Sequence, residues 1–252
     1  LLVIEHLTKI YDDGTRALSD VSFTVQDGEF LVLIGLSGSG KSTLLRCINR
    51  LVEPTEGRIE FDGVDITAAS PNQLRRIRQQ IGMIFQQFNL VRRSSVMRNV
   101  LSGRLGYYQS WRSLVGLFPE EERERAMRNL QRVGIGDQAF KRADELSGGQ
   151  QQRVGIARAL MQEPSMILAD EPVASLDPAT SHSVMKHLEQ LNVRDGMTIL
   201  CSLHFLSLAR TYATRIIALK DGGIVFDGEP AEINDQRFKE IYGEEAVRVE
   251  IS

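Results

Sequence analysis

The segment Gly35-Leu36-Ser37-Gly38-Ser39-Gly40-Lys41-Ser42 restricts the fold of this chain more than any other feature. It follows the apolar run Phe30–Ile34 directly and leads into a stretch where Leu44, Leu45, Ile48 and Leu51 recur at helical spacing. The order is therefore strand, loop, helix. Gly35, Gly38 and Gly40 let the backbone curl so that successive N–H groups face inward, and the helix start adds partial positive charge. Lys41 is placed to reach the β- and γ-phosphates of a nucleoside triphosphate, and the Ser42 hydroxyl to ligate Mg²⁺. Residue frequencies alone give such a match in about one chain in a hundred, before the flanking strand and helix are required.

Further apolar runs of strand length, Met166–Ala169, Met197–Cys201 and Ile216–Leu219, suit strands buried on both faces of a mostly parallel sheet. One of them ends in Asp170-Glu171. Ligands bind beyond the carboxyl ends of parallel strands, which places Asp170 to hold Mg²⁺ through water. Glu171, one residue on, is placed to orient and deprotonate an attacking water. Val184, Met185, Leu188 and Leu191 mark a helix that opens with Asp177 as N-cap and Pro178 at its first position. Val3 to Leu7, Val21 to Val25 and Arg58 to Phe61 are more polar and punctuated by turn residues, as in an antiparallel layer.

From Gln87 to Glu145 the strand-like runs stop, and Ala126, Leu130 and Val133 share one helical face. The expected fold class is α/β: a P-loop NTPase core with a mostly parallel central sheet, an N-terminal antiparallel β layer and an inserted helical subdomain. In numbers, 1–252 forms one nucleotide-binding domain, with 1–86 and 146–252 as the core and 87–145 as the helical subdomain.

Charge excludes one class of partner. Against 30 Lys and Arg stand 33 Asp and Glu, a net charge of −3, so no positive field draws the chain to nucleic acid. The clusters Arg75-Arg76-Ile77-Arg78 and Arg92-Arg93 read as solvated faces. The longest apolar stretch without acid, Lys or Arg, Gly196–Ala209, is too short to cross a bilayer. No basic start and apolar run precede the first strand, so no secretory leader is expected, and a chain beginning at Leu1 implies a trimmed N-terminus. Cys47 and Cys201 have no spacing suited to a disulfide framework or zinc and read as small buried apolar residues.

A second glycine-led helix start, Leu146-Ser147-Gly148-Gly149-Gln150, precedes Val154, Ile156, Ala157 and Leu160. On its own it is either a capped turn at Ser147 or a second anion site. One active site needs only one phosphate cradle, so a second implies service to another copy of the chain.

In this ordered set the chain resembles the ATP-binding-cassette ATPases. Gly35–Ser42, with Gly35, Ser37, Gly38, Ser39, Gly40, Lys41 and Ser42 and the adjoining Thr43, resembles Walker A, and Gln86 the Q-loop. Leu146–Gln150 resembles the family signature, Met166–Asp170 Walker B, Ala174–Asp177 the D-loop and His204 the H-loop. Tyr11 stands where the family places an aromatic that stacks on adenine. The resemblance implies ATP and Mg²⁺ as ligands, Glu171 as base, His204 on the γ-phosphate and Gln86 on Mg²⁺ and water. It further implies a head-to-tail homodimer in which Ser147, Gly148, Gly149 and Gln150 of one copy complete the ATP site of the other, with Asp177 beside it.

Within that family, Gln86-Gln87-Phe88-Asn89-Leu90-Val91, Asn99 to Gly106, Glu171 to Pro178 and Ile241-Tyr242-Gly243 look like the ATP-binding subunits of bacterial phosphonate importers. That implies transmembrane permease subunits docked on 87–145, a periplasmic or lipid-anchored solute-binding protein acting indirectly, and a peripheral place on the cytoplasmic face of the bacterial inner membrane. His204-Phe205-Leu206-Ser207 departs from the pattern, since many relatives have Gln after the histidine. The competing expectations are an importer of polar amino acids, a soluble cassette ATPase outside transport, and a P-loop small-molecule kinase, which has no use for Leu146–Gln150.

Overall fold

The computed structural model describes residues 1–107 and 118–243. At its N-terminal end, β1 (Leu2–Ile10) pairs antiparallel with β2 (Arg16–Val25). After β3 (Phe30–Ile34) and α1 (Lys41–Ile48), β4 (Glu56–Phe61) joins the other edge of β1, and the short β5 (Val64–Asp65) follows it. The register aligns Leu2 with Val25 and Phe61, and Ile4 with Phe23 and Ile59. These cross-strand rows form one apolar face of the four-stranded sheet.

The central sheet explains the apolar runs within Phe30–Ile34, Met166–Asp170 and Thr198–Ser202. It continues through α2 (Pro71–Gln80), β6 (Ile81–Ile84), α3 (Val96–Leu101), α4 (Glu120–Arg132), α5 (Gly148–Leu160), β7 (Met166–Asp170), α6 (Pro178–Asp195), β8 (Thr198–Ser202), α7 (Leu206–Tyr212), β9 (Arg215–Lys220), β10 (Gly223–Gly228) and α8 (Asp235–Tyr242). The strand order is β10-β9-β3-β8-β7-β6, parallel except for β10 at the edge. Phe30, Val32 and Ile34 enter one core, whereas Leu31 and Leu33 enter the other. The same alternation sends Ile199 and Cys201 one way and Leu200 the other. Period-two geometry with both faces covered makes the interior positions of β3, β7 and β8 apolar and leaves the polar Asp170, Thr198 and Ser202 to strand ends.

One of these cores joins the central sheet to Leu44, Leu45, Cys47 and Ile48 of α1 and to the apolar face of the antiparallel sheet. The other holds Val184, Met185, Leu188 and Leu191 of α6 together with Ala126, Leu130 and Val133. Both cysteines are fully buried, and burial pushes the Cys47 thiol up to about 11. Leu51 departs from the expected stripe. Helix α1 ends at Ile48, and Leu51 lies past it, 48% exposed.

Between Gln87 and Glu145, helices α3 and α4 and short 3₁₀ turns are the regular elements among the described residues. The part of the expected insertion from 108 to 117 lies outside those residues. Helix α5 touches both α3 and α4 and also β6. The reading of Arg78 as solvated is corrected by the geometry, since it is half-buried, whereas Arg75 is exposed as expected and is also hydrogen-bonded. Arg78 donates to the carbonyls of Asn49 and Arg50 beyond α1, and Arg75 donates twice to Gly106 O. Carbonyls at the end of a helix or turn need donors, and the guanidinium planes of α2 supply them.

The register of the parallel strands sets up the site. Asp170 lies opposite Ser202, Ser202 opposite Leu33, and Ala169 opposite Ile84. Their carboxyl ends are therefore level, and the segments leaving them emerge together at one edge.

Candidate functional site

At that edge, Ser37, Gly38, Ser39, Gly40, Lys41, Ser42 and Thr43 line a cleft of about 340 Å³. Ala17, Gln86, Glu171 and His204 complete its wall. Ala17 comes from β2, Gln86 follows β6, Glu171 follows β7 and His204 follows β8. Apart from Ala17, which the antiparallel sheet contributes, these residues converge because the ends of β3, β6, β7 and β8 are level.

Helix α1 opens on Gly40 at φ 105°, and no side chain caps it. A Cβ at Gly40 would stand 2.4 Å from Ala17 O, so only glycine fits this turn. The first N–H groups of α1 are left for a ligand. Ser39 Oγ is buried in this cradle without a hydrogen-bond partner among the described residues, as a group awaiting an anion would be. Lys41, 3% exposed, folds back to donate to Gly35 O at 2.7 Å and Leu36 O at 3.0 Å. Burial lowers the pKa of its ammonium, while Glu171 and Asp170 raise it.

Asp170 is 1% exposed. Its Oδ1 accepts from Ser42 Oγ at 2.7 Å and Ser202 Oγ at 3.3 Å, and Oδ2 accepts from Arg46 Nη2 at 3.3 Å. Ser42 and Asp170 are hard oxygen donors on one side of the cradle, which suits a cation that also takes phosphate oxygens. No group of three or more His, Cys, Asp or Glu that could cage a metal exists among the described residues. A Mg²⁺ bound here would rely on a few protein oxygens plus nucleotide and water, its usual manner.

Glu171 adopts φ 47°, a conformation that costs a non-glycine residue roughly 1–2 kcal/mol. Its N–H donates to Ser202 Oγ at 2.9 Å, and its Oε1 meets His204 Nε2 at 2.6 Å. The left-handed turn directs the carboxylate into the cleft instead of along the strand. Tyr11, 38% exposed, reaches the cradle through its hydroxyl, 3.2 Å from Thr43 Oγ1.

Ser147, Gly148, Gly149, Gln150 and Asp177 do not line this cleft. Ser147 caps α5: its Oγ accepts from Gln150 N at 3.3 Å, and Gln150 Oε1 accepts from Ser147 N at 3.0 Å. Gly149 is forced by close packing, since a Cβ there would stand 2.2 Å from Thr180 Cγ2. Asp177 caps α6 by accepting from Thr180 N at 3.0 Å, and hydrogen bonding from the Thr180 side chain first and its backbone second holds the carboxyl below the usual range.

The sequence reading passed over Ala17, Arg46 and Ser202. Arg46 had a signal: it lies four residues after Ser42, on the same face of α1. Ser202 and Ala17 are legible only once strand register is known.

A curled loop under a helix start, a buried lysine and two carboxylates at level strand ends define a P-loop nucleotide-binding protein. Comparison narrows the class. The profile of a family described as ABC transporter matches residues 18–174. Phosphonates import ATP-binding protein PhnC of Bdellovibrio bacteriovorus is 56% identical over 247 residues, covering 98% of this chain and 95% of that protein. Its namesake in Bacillus thuringiensis subsp. konkukian is 54% identical, covering 100% and 98%. The dimeric post-hydrolysis structure of the ATP-binding cassette MJ0796 bound to ADP and Pi superposes with a TM-score of 0.81 at 37% identity, covering 91% and 99%. The chain belongs to the ABC transporter family, as an ATP-hydrolysing cassette. No helix of the described residues is long and apolar enough to cross a membrane.

Proposed function

We propose that this chain is the ATPase subunit of a bacterial importer for phosphonates or a related phosphorus oxyanion, driving transport through separate permease subunits. The observation that carries the ATPase chemistry is the convergence of Lys41, Glu171 and His204 on one cleft at level strand ends, with Asp170 buried behind the cleft wall and hydrogen-bonded to Ser42. The solute assignment is supported by relatives named for phosphonate import, at more than half identity over nearly the whole chain.

In this reading the N–H groups of the loop and Lys41 hold the phosphates, and Tyr11 covers the adenine. Ser42, Asp170 and Gln86 hold Mg²⁺, which supplies charge neutralisation on the phosphate oxygens. Glu171 orients and deprotonates the attacking water. In the resting protein that carboxylate is engaged by His204. A γ-phosphate in the cleft offers the imidazole a stronger acceptor, which frees Glu171 for water. Ser147, Gly148, Gly149 and Gln150, absent from their own chain's cleft, serve the cleft of a second copy, with Asp177 at the seam. ATP favours the closed dimer only through its better fit there, and hydrolysis releases it.

Residues 87–145 form the helical subdomain on which the permease docks, and the core comprises 1–86 and 146–252. The protein acts at the cytoplasmic face of the inner membrane, with the solute-binding protein on the far side and no nucleic acid involved. The test is growth of a strain lacking this gene, rescued by the wild-type chain or by Glu171→Gln, on phosphonate, phosphite or limiting phosphate. Rescue on phosphonate by wild type alone is expected. Unimpaired growth of the unrescued strain on all three sources, with no redundant transporter, would overturn the solute assignment.

A further inference from the structure

Arg46 belongs to none of the motifs that define the cleft. It nevertheless makes the only ion pair that the described residues give Asp170, Nη2 to Oδ2 at 3.3 Å. Ser42 and Arg46 stand one turn apart on α1, so one helix face grips both oxygens of a single buried carboxylate. Ser42 and Ser202 hold Oδ1, the oxygen on the Ser42 side, and Arg46 holds Oδ2. With Arg46 removed, Oδ2 has no partner among the described residues. The carboxylate is then free to turn about its terminal torsion, which is soft by nature.

We infer that Arg46 is a positioning residue: it fixes the rotation of the Asp170 carboxylate and thereby sets how tightly the nucleotide-loaded cleft takes Mg²⁺. This rests on the reading that Asp170 serves Mg²⁺. Two physical effects compete at such a site. As a cation, Arg46 would repel Mg²⁺; as a donor, it pre-aims the ligand that Mg²⁺ needs. Its side chain is 47% exposed and hydrated, which screens the charge, whereas the directed hydrogen bond keeps the carboxylate plane in place. Geometry therefore wins. A partner that orients a metal-binding carboxylate changes metal affinity by roughly 10- to 100-fold when lost, and the lower end fits a single 3.3 Å contact.

The test needs no turnover. By linkage, the factor by which Mg²⁺ tightens nucleotide binding equals the factor by which bound nucleotide tightens Mg²⁺ binding. The intact chain is titrated with a fluorescent, non-hydrolysable ATP analogue, once in chelator and once in saturating Mg²⁺, and the ratio of the two Kd values is compared between variants. Arg46→Ala is expected to reduce that ratio roughly tenfold. The Kd in chelator and the circular dichroism spectrum stay close to those of the unmodified chain. Arg46→Lys recovers part of the loss, because an ammonium donates from one point without a planar fork. An unchanged ratio in Arg46→Ala overturns the inference, and so does an enlarged one, the mark of a competing cation. Asp170→Asn separates the two readings. If it leaves the ratio intact, the Mg²⁺ role of Asp170 itself fails; if it collapses the ratio while Arg46→Ala does not, only the role of Arg46 fails.

Discussion

The two glycine-led helix starts of this molecule, at α1 and at α5, have similar sequences and opposite chemistry. Helix α1 opens on Gly40 with no side-chain cap and has Lys41, Asp170 and Glu171 around it. Helix α5 opens on Ser147, whose hydroxyl and Gln150 close a reciprocal capping box, and it lies outside the cleft. The first has carboxylates beside it, because parallel register brings the neighbouring strand ends to it. The second does not line the cleft that Glu171 lines. A glycine turn ahead of a helix makes a cradle, then, and neighbouring strand ends make it an active site.

The largest effect expected from this contrast is on chemistry at α1. Glu171→Gln should lower steady-state phosphate release by roughly 10²- to 10⁴-fold, the range for loss of a general base. Analogue binding should be retained. Turnover at the wild-type rate would remove Glu171 from that role.

The next effect is at α5 and concerns stability. Gly149→Ala places a methyl group 2.2 Å from Thr180 Cγ2 and should cost about 1–3 kcal/mol in urea unfolding. Adding Thr180→Ser removes the opposing methyl and should restore most of the loss. Failure of that rescue would show that the strain lies elsewhere.

Ser147→Ala breaks the capping box and should cost about 1 kcal/mol. A single chain with this change should bind the ATP analogue with unchanged affinity while losing hydrolysis. Weakened binding in the isolated chain would mean that α5 serves its own cleft.

The smallest effect is acid dependence at the α6 start. Asp177 titrates below its ordinary 3.8 because it accepts from Thr180. Its contribution is therefore fully present above pH 3.8 and fades as pH falls through the lower folded value. The stability gap between wild type and Asp177→Ala should narrow in acid. A gap that widens there would contradict the cap.

Much of this was legible in the chain. Apolar runs such as Phe30–Ile34 and Met166–Ala169 announce strands buried on both faces, and Lys41, Asp170 and Glu171 announce themselves through the strand ends they follow. Strand β6 was not legible, because four residues containing Gly82 after a polar helix make a weak pattern. Edge strand β10 was hidden for the opposite reason: it is half exposed and only Phe226 is buried. Arg78 looked like solvent-facing charge, since sequence cannot show that a turn ends opposite it. Arg46 and Ser202 act on Asp170 through tertiary register, and only Arg46 left a trace in spacing.

If the α1 and α5 starts make one site across two copies of the chain, complementary lesions in the two starts should rescue each other. Lys41→Ala destroys the first start and keeps the second, while Ser147→Arg does the reverse, so each chain alone should fail to release phosphate. In an equimolar mixture, one site of every mixed dimer pairs an intact cradle with an intact Ser147 start. Mixing is expected to restore phosphate release. A mixture as inactive as its two components, or a Ser147→Arg chain as active as wild type, would contradict that shared site.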